Sequence, residues 1–227
     1  MLVFVDYEHA DGFEREHGPK VLAGRTSITY RLEDLAGTHC HLVRYDRVDQ
    51  ALLDKIGATA IFISGNSFAP DDYDPHALEP IHAIIRETEL PLFGFCGGFQ
   101  LIAQALGADI VALPASDGPS LVTTKDGRLF EFGYHPVELA VENSGHPLLA
   151  GLGNQPIFRH AHGLHVPELP DGFANLASTA ATPIQMAVHD ERPMVGTQFH
   201  PEYWTEEHPD GRTVIANFLA WSGWSPT

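Results

Sequence analysis

Basic residues are scarce in this sequence. Lys and Arg total 13 against 30 Asp and Glu, a formal charge of −17. A nucleic-acid backbone or an anionic membrane surface is bound through Lys and Arg, so both partners are excluded as expectations. Cysteine is scarcer still, with only Cys40 and Cys96. A disulfide framework needs more, so each reads as a free thiol. No apolar run approaches the roughly 20 residues a membrane span requires. The chain opens on Leu2-Val3-Phe4-Val5 without a signal peptide's basic region or cleavage site, so the cytoplasm is the expected compartment.

What is present is alternation. Leu2–Val5, Leu42–Val43, Ala60–Ile63 and Leu92–Phe95 read as buried strands. Between the last two, Leu78, Ile81, Ile84 and Ile85 share one face at helical period, with Asp74 as N-cap and Pro75 at the first helical position. Phe99, Ile102, Ala103 and Leu106 mark another helix, closed by Gly107. Strands alternating with helices predict βαβ units and a mostly parallel central sheet flanked by helices. The second half differs. Asp109–Val111, Leu121–Thr124, Leu129–Phe132, Val137–Val141, Asn175–Ser178, Ile184–His189 and Met194–Phe199 are short strand candidates, and turns such as Asp126-Gly127 and Asp171-Gly172 separate several of them. A helix is expected over Thr213–Trp221. One α/β domain over residues 1–227 accommodates all of this, with extra antiparallel strands late in the chain. The stretch Asp11–Leu35 reads as a helix plus an extended loop.

Gly94-Phe95-Cys96-Gly97-Gly98 takes a buried strand into a helix within a few residues. Glycines at those places permit the sharp turn of a nucleophile elbow, with cysteine in the nucleophile's place. The sulfur would lie at a helix N-terminus, whose dipole favours thiolate, and the Gly97 N–H would face a developing oxyanion. The alternative is a buried structural cysteine. Near the C-terminus, Gln198-Phe199-His200-Pro201-Glu202 sets a base and a carboxylate two residues apart. In extended backbone such residues point to the same side, so Glu202 can orient His200. Only the fold could bring His200 to Cys96.

The two motifs together, in this order, resemble class I (triad-type) glutamine amidotransferases. Cys96-Gly97-Gly98-Phe99-Gln100 is similar to that family's Cys-x-Gly-x-Gln elbow, and residues 198–202 match its Gln-Phe-His-Pro-Glu motif in full. Ser64-Gly65-Asn66-Ser67 stands where the family has a Ser-Gly-Gly-Pro loop. Glu131-Phe132-Gly133-Tyr134, and His162-Gly163 followed by Val166, resemble segments of the amidotransferase part of GMP synthase. The resemblance implies a flavodoxin-like fold and a cysteine-dependent glutaminase without cofactor. In it Cys96 attacks the glutamine carboxamide to form a γ-glutamyl thioester, His200 shuttles the proton and Glu202 holds His200. Gly65, Asn66 and Gly97 would form the oxyanion hole. Gln100 and the backbone of Gly163 and Leu164 would bind substrate. The ammonia would pass to a synthase on another chain.

Departures from the pattern leave rivals open. Asn66-Ser67 replaces Gly-Pro, and Ala161 stands where relatives carry Ser or Asn. The N-terminal segment, residues 1–35, is atypical, and over Asp6–Arg31 it reads as a solvated loop or an altered site entrance. A free-standing hydrolase of γ-glutamyl or related small amides fits these departures, and a non-catalytic regulatory module would use the same fold. Arg159-His160-Ala161-His162-Gly163-Leu164-His165 invites a metal reading. No carboxylate or cysteine in that run completes a ligand set, so no metal is expected. Cys40, between His39 and His41, reads as a core residue.

Overall fold

The computed structural model describes residues 1–114, 118–124 and 126–224. Its central sheet has eight strands in the order β2-β1-β3-β4-β13-β12-β11-β8. These are β1 (Leu2–Asp6), β2 (Cys40–Arg44), β3 (Ala60–Ile63), β4 (Leu92–Phe95), β8 (Glu138–Leu139), β11 (Phe173–Ser178), β12 (Met186–His189) and β13 (Met194–Thr197). Pairing is parallel from β2 to β13 and antiparallel from β13 to β8. The mostly parallel α/β sheet and the late antiparallel strands expected from the sequence are both there. Two small antiparallel sheets stand apart: β6 (Leu121–Thr123), β7 (Leu129–Pro136) and β9 (Ile157–His162), and β5 (Val111–Ala112) with β10 (Leu164–His165).

Strand alternation divides the core in two. Leu2 and Phe4 of β1 face a layer built on Phe62, Phe93, Phe95 and Phe218, while Val3 and Val5 face Ile61, Ile63, Ile81 and Ile85. The first layer is covered by α2 (Gly18–Ala36) and α6 (Asp210–Trp221). The second is covered by α3 (Gln50–Ile56), α4 (Pro75–Glu87) and α5 (Gly97–Ala105). Phe218 of α6 meets Phe62 and Phe93 with ring centroids 5.6 and 5.0 Å away. Full burial of such a side chain is worth about 2–3 kcal/mol. The Asp74 side chain accepts from the His76 N–H, and Pro75 begins α4, as the sequence predicts. Gly107, at φ 90°, follows the end of α5. Cys40 is buried between exposed histidines.

The N-terminal segment corrects the sequence reading. Residues 6–31 are not a solvated loop: α1 (Ala10–Glu14) leads into α2, a 19-residue helix. Its inward positions are Arg25, Ile28, Thr29, Leu32 and Ala36, an i, i+3, i+4, i+7, i+11 set. Two of the five are polar, so no apolar stripe marks the helix.

Glycine spacing sets how closely the layers approach. A Cβ on Gly94 of β4 would lie 2.5 Å from the Gly98 carbonyl carbon, and one on Gly196 of β13 would lie 2.0 Å from Phe99 Cδ2. Gly196→Ala is therefore expected to cost about 1–3 kcal/mol. That is a fall of several degrees in melting temperature. Gly153→Ala, where an added Cβ meets nothing within 4 Å, is the control and should leave the melting temperature unchanged.

Candidate active site

Strands β4 and β13 run side by side in parallel, with Thr197 opposite Phe95 and the Cys96 N–H donating to the Thr197 carbonyl at 2.7 Å. Both chains therefore leave the sheet at one end, Cys96 from β4 and Gln198-Phe199-His200 from β13. Cys96 has φ 49° and ψ −105°, the one positive φ outside glycine among the described residues. Such a conformation costs on the order of 1–3 kcal/mol in a residue with a side chain. It is held because β4 enters and α5 begins on either side of it. This is the elbow the sequence predicts, with Cys96 at the N-cap of α5.

His200 Nδ1 lies 2.7 Å from Glu202 Oε1, and Glu202 is fully buried. The imidazole also faces Cys96, which favours its charged form. Burial opposes the imidazolium, but Glu202 and Cys96 outweigh it, so the His200 pKa is raised well above the ordinary value of 6.5. Cys96, His200 and Glu202 thus meet as one constellation. Arg31 of α2 holds its outer side: Nη1 donates to the carbonyls of Glu202 and Trp204 at 3.0 and 2.9 Å.

The loop after β3 closes over this group. A Cβ on Gly65 would stand 2.8 Å from His200 Cε1 and 3.4 Å from Cys96 Cβ. One on Gly97 would stand 2.0 Å from Asn66 Oδ1 and 3.0 Å from the Asn66 backbone nitrogen. Gly65, Asn66 and Gly97 are therefore together beside the sulfur, and neither Asn66 nor Gly97 donates its N–H to any described residue. Gln198, fully buried, donates to Cys96 Sγ at 3.6 Å and accepts from Gln100, whose Nε2 also donates to the Leu164 carbonyl. A cavity of about 610 Å3 opens here, lined by Asn66, Cys96, Gln100, Ala161, Gly163 and Leu164. Of the residues expected at the site, Asn66, Cys96, Gln100, Gly163 and Leu164 line the cavity, while Gly65, Gly97 and the His200–Glu202 pair stand beside it.

Some neighbours carry no signal in the sequence. Among the described residues Arg128 is the one Lys or Arg lining the cavity; it follows a hairpin turn, where an arginine is unremarked. Phe68, Leu113, Leu129 and Phe130 give the cavity an apolar wall. Behind it, β7 pairs with β9 and brings Glu131 to His160 and His162, the carboxylate that their own run lacks. Glu131 Oε2 lies 3.1 Å from His162 Nε2 and 4.0 Å from His160 Nδ1. It also accepts from Thr182 and Gln185, and Oε1 accepts from Ser120 and Thr179. Burial would raise the Glu131 pKa, but these partners, His162 first among them, hold it at about 2. Burial pushes His160 down to about 3, so that ring is neutral. A metal ion here would compete with the hydrogen bonds that balance the carboxylate, while both His160 ring nitrogens and His162 Nε2 have no hydrogen-bond partner among the described residues.

Among known proteins, the profile described as "Glutamine amidotransferase class-I" matches residues 25–221. GMP synthase [glutamine-hydrolyzing] of Thermomicrobium roseum is 32% identical over 192 residues, 85% of this chain and 32% of that protein. The Symbiobacterium thermophilum protein of the same name is 31% identical over 163 residues, 72% of this chain and 28% of that protein. The chain spans about a third of the length of these relatives. Two solved structures share the fold. A Thermoplasma acidophilum protein, provisionally described as one of the subunits of a GMP synthase, has TM-score 0.70 at 24% identity, covering 98% of this chain and 94% of that one. A glutamine amidotransferase of Thermotoga maritima has TM-score 0.64 at 14% identity, covering 97% of each. The matched span includes both the elbow and the His200 segment, and the chain belongs to the class I glutamine amidotransferase family.

Proposed function

We propose that the chain is a glutaminase that hydrolyses the side-chain amide of L-glutamine through Cys96, His200 and Glu202. The observation that carries this reading is the convergence of the Cys96 elbow, the His200–Glu202 pair and the Gln100-lined cavity at one end of the sheet. His200 takes the Cys96 proton, and the sulfur adds to the amide carbon. The N–H groups of Asn66 and Gly97 receive the oxyanion. His200 returns the proton to the leaving nitrogen, ammonia departs and a γ-glutamyl thioester remains. Water then gives its proton to His200, adds to the thioester, and glutamate leaves as the thiol is restored. Arg128 is a candidate partner for the substrate's α-carboxylate, through guanidinium nitrogens other than the Nε that already donates to Asp126 at 2.7 Å. Delivery of the ammonia to a synthase is supported by the GMP synthases among the relatives, and its placement on another chain by the Thermoplasma acidophilum protein described as a subunit; the cytoplasm is the compartment this role fits.

A second reading rests on the cavity. At about 610 Å3 with an apolar wall of Phe68, Leu113, Leu129 and Phe130, it falls in the range that houses ligands larger than a free amino acid. A γ-glutamyl amide with an apolar substituent would use that wall. Turnover of a panel of such amides beside glutamine separates the two readings, the better substrate identifying the occupant.

Glutamate release from L-glutamine by the wild type, lost at least about 10³-fold in Cys96→Ala, is the expected result. No release, with no labelling of Cys96 by a glutamine-like diazoketone, would instead favour the regulatory-module reading.

Glu202→Gln should lower kcat by about 10²- to 10⁴-fold. It should also move the alkaline limb of the pH profile downward, because the carboxylate is what raises His200. The sign for stability is the same. A raised folded pKa gives stability that is full below about 6.5 and lost as pH rises through the folded value. Urea unfolding between about pH 6 and pH 10 should therefore show a steeper alkaline decline in the wild type than in Glu202→Gln.

A further inference from the structure

The elements that fix the Gly65–Asn66 peptide lie in the N-terminal segment. The Gly65 carbonyl accepts from Arg25 Nη2 at 2.7 Å and from Ser64 Oγ at 2.8 Å. Ser64 Oγ in turn accepts from the Tyr7 N–H at 2.9 Å. Arg25 is only 5% exposed; its Nε donates to Asp6 at 2.8 Å, and Glu8 Oε2 lies 3.8 Å from Nη2. A guanidinium buried this deeply is held in one orientation by its fork of donors. The far end of the loop is held from the same segment. Glu8 Oε1 accepts from Ser67 N–H and Oγ, at 3.3 and 2.8 Å. Asn66 Nδ2 donates to the Phe68 carbonyl and to Tyr73 Oη, which donates to the Tyr7 carbonyl.

A trans peptide carries its C=O and N–H on opposite sides of one plane, and no cis peptide bond is found among the described residues. With the Gly65 oxygen drawn toward Arg25, the Asn66 N–H must point the other way. That way lies Gly97, where an added Cβ would be 3.0 Å from the Asn66 nitrogen. We infer that Arg25 is a positioning residue, which anchors the Gly65 carbonyl so that the Asn66 N–H is held toward Cys96 ready to receive an oxyanion. The inference rests on the proposed glutaminase reading. It also gives residues 6–25 a task. A proline at position 67, as in the resembling loop, would fix φ covalently. Ser67 leaves φ free, and hydrogen bonds from Glu8 and the anchor at Arg25 supply the constraint.

The test uses the full chain with Arg25→Lys and Arg25→Ala. Lysine keeps the charge beside Asp6 but cannot reach Asp6 and Gly65 together, so it holds the segment's electrostatics while releasing the carbonyl. Each variant is assayed for kcat and KM, and for the rate of Cys96 alkylation by iodoacetamide. The expected result is a fall in kcat of about 10- to 10²-fold, part of what loss of an oxyanion donor costs. KM and the alkylation rate should be unchanged, and millimolar guanidinium should restore part of kcat to Arg25→Ala. Wild-type kcat in Arg25→Lys would overturn the inference. Alkylation falling in step with kcat would overturn it too, since Arg25 would then support the whole site rather than the loop. A wild type inactive on glutamine and on every γ-glutamyl amide would overturn the underlying functional reading instead.

Discussion

The parallel pairing of β4 with β13 is the constraint on which the rest depends. Cys96 and Thr197 are about a hundred residues apart, yet one hydrogen bond joins them where the strands end. Everything C-terminal to that bond is then forced into place: Gln198 under the sulfur, Phe199 into the core against Phe158, and His200 over the elbow. Parallel neighbours need a crossover, and here the crossover from β4 to β13 holds all the small antiparallel sheets. Most of the cavity wall, Leu113, Leu129 and Phe130 included, is thus made from the connection between the two strands that carry the nucleophile and the base, and Phe68 joins it from the loop after β3.

The second organising feature is the amount of buried charge around that junction. Glu202, Glu131, Asp6, Glu8 and Arg25 are all nearly or wholly inaccessible. An uncompensated ion at such sites costs several kcal/mol. Each is compensated differently: Glu202 by His200, Asp6 and Glu8 by Arg25, and Glu131 by hydroxyls, an amide and His162. The site is organised by these few charge-compensated groups rather than by the overall charge.

How much of this could be read from the sequence follows from how local each signal is. The elbow at Cys96 and the His200–Glu202 pair are short motifs whose geometry is set by backbone, so they were legible. So were β3, β4 and α4, whose apolar periodicity is clean and, for α4, capped by Asp74. Helix α2 was legible only in part: a helix was expected within Asp11–Leu35, but not its length or its buried face, because Arg25 and Thr29 interrupt the stripe for reasons that lie in other segments. Strand β9 was hidden for a related reason: its buried positions at Phe158, His160 and His162 include two histidines, which do not read as core. The Glu131 cluster needs the β7–β9 register, which no single stretch encodes. Strand β7 runs to Pro136, beyond the expected Phe132, because Gly133 at φ 111° breaks its pattern without ending it.

The close fit between Asn66 and Gly97 bears on how such a site can change over generations. The asparagine oxygen occupies the space a side chain at 97 would need, 2.0 Å from where its first carbon would stand. A larger residue at 97 is admissible only after position 66 has become smaller, and the reverse order passes through a blocked site. The two positions are therefore expected to vary as a pair across descendants of this chain, with glycine at 97 persisting wherever 66 carries an amide.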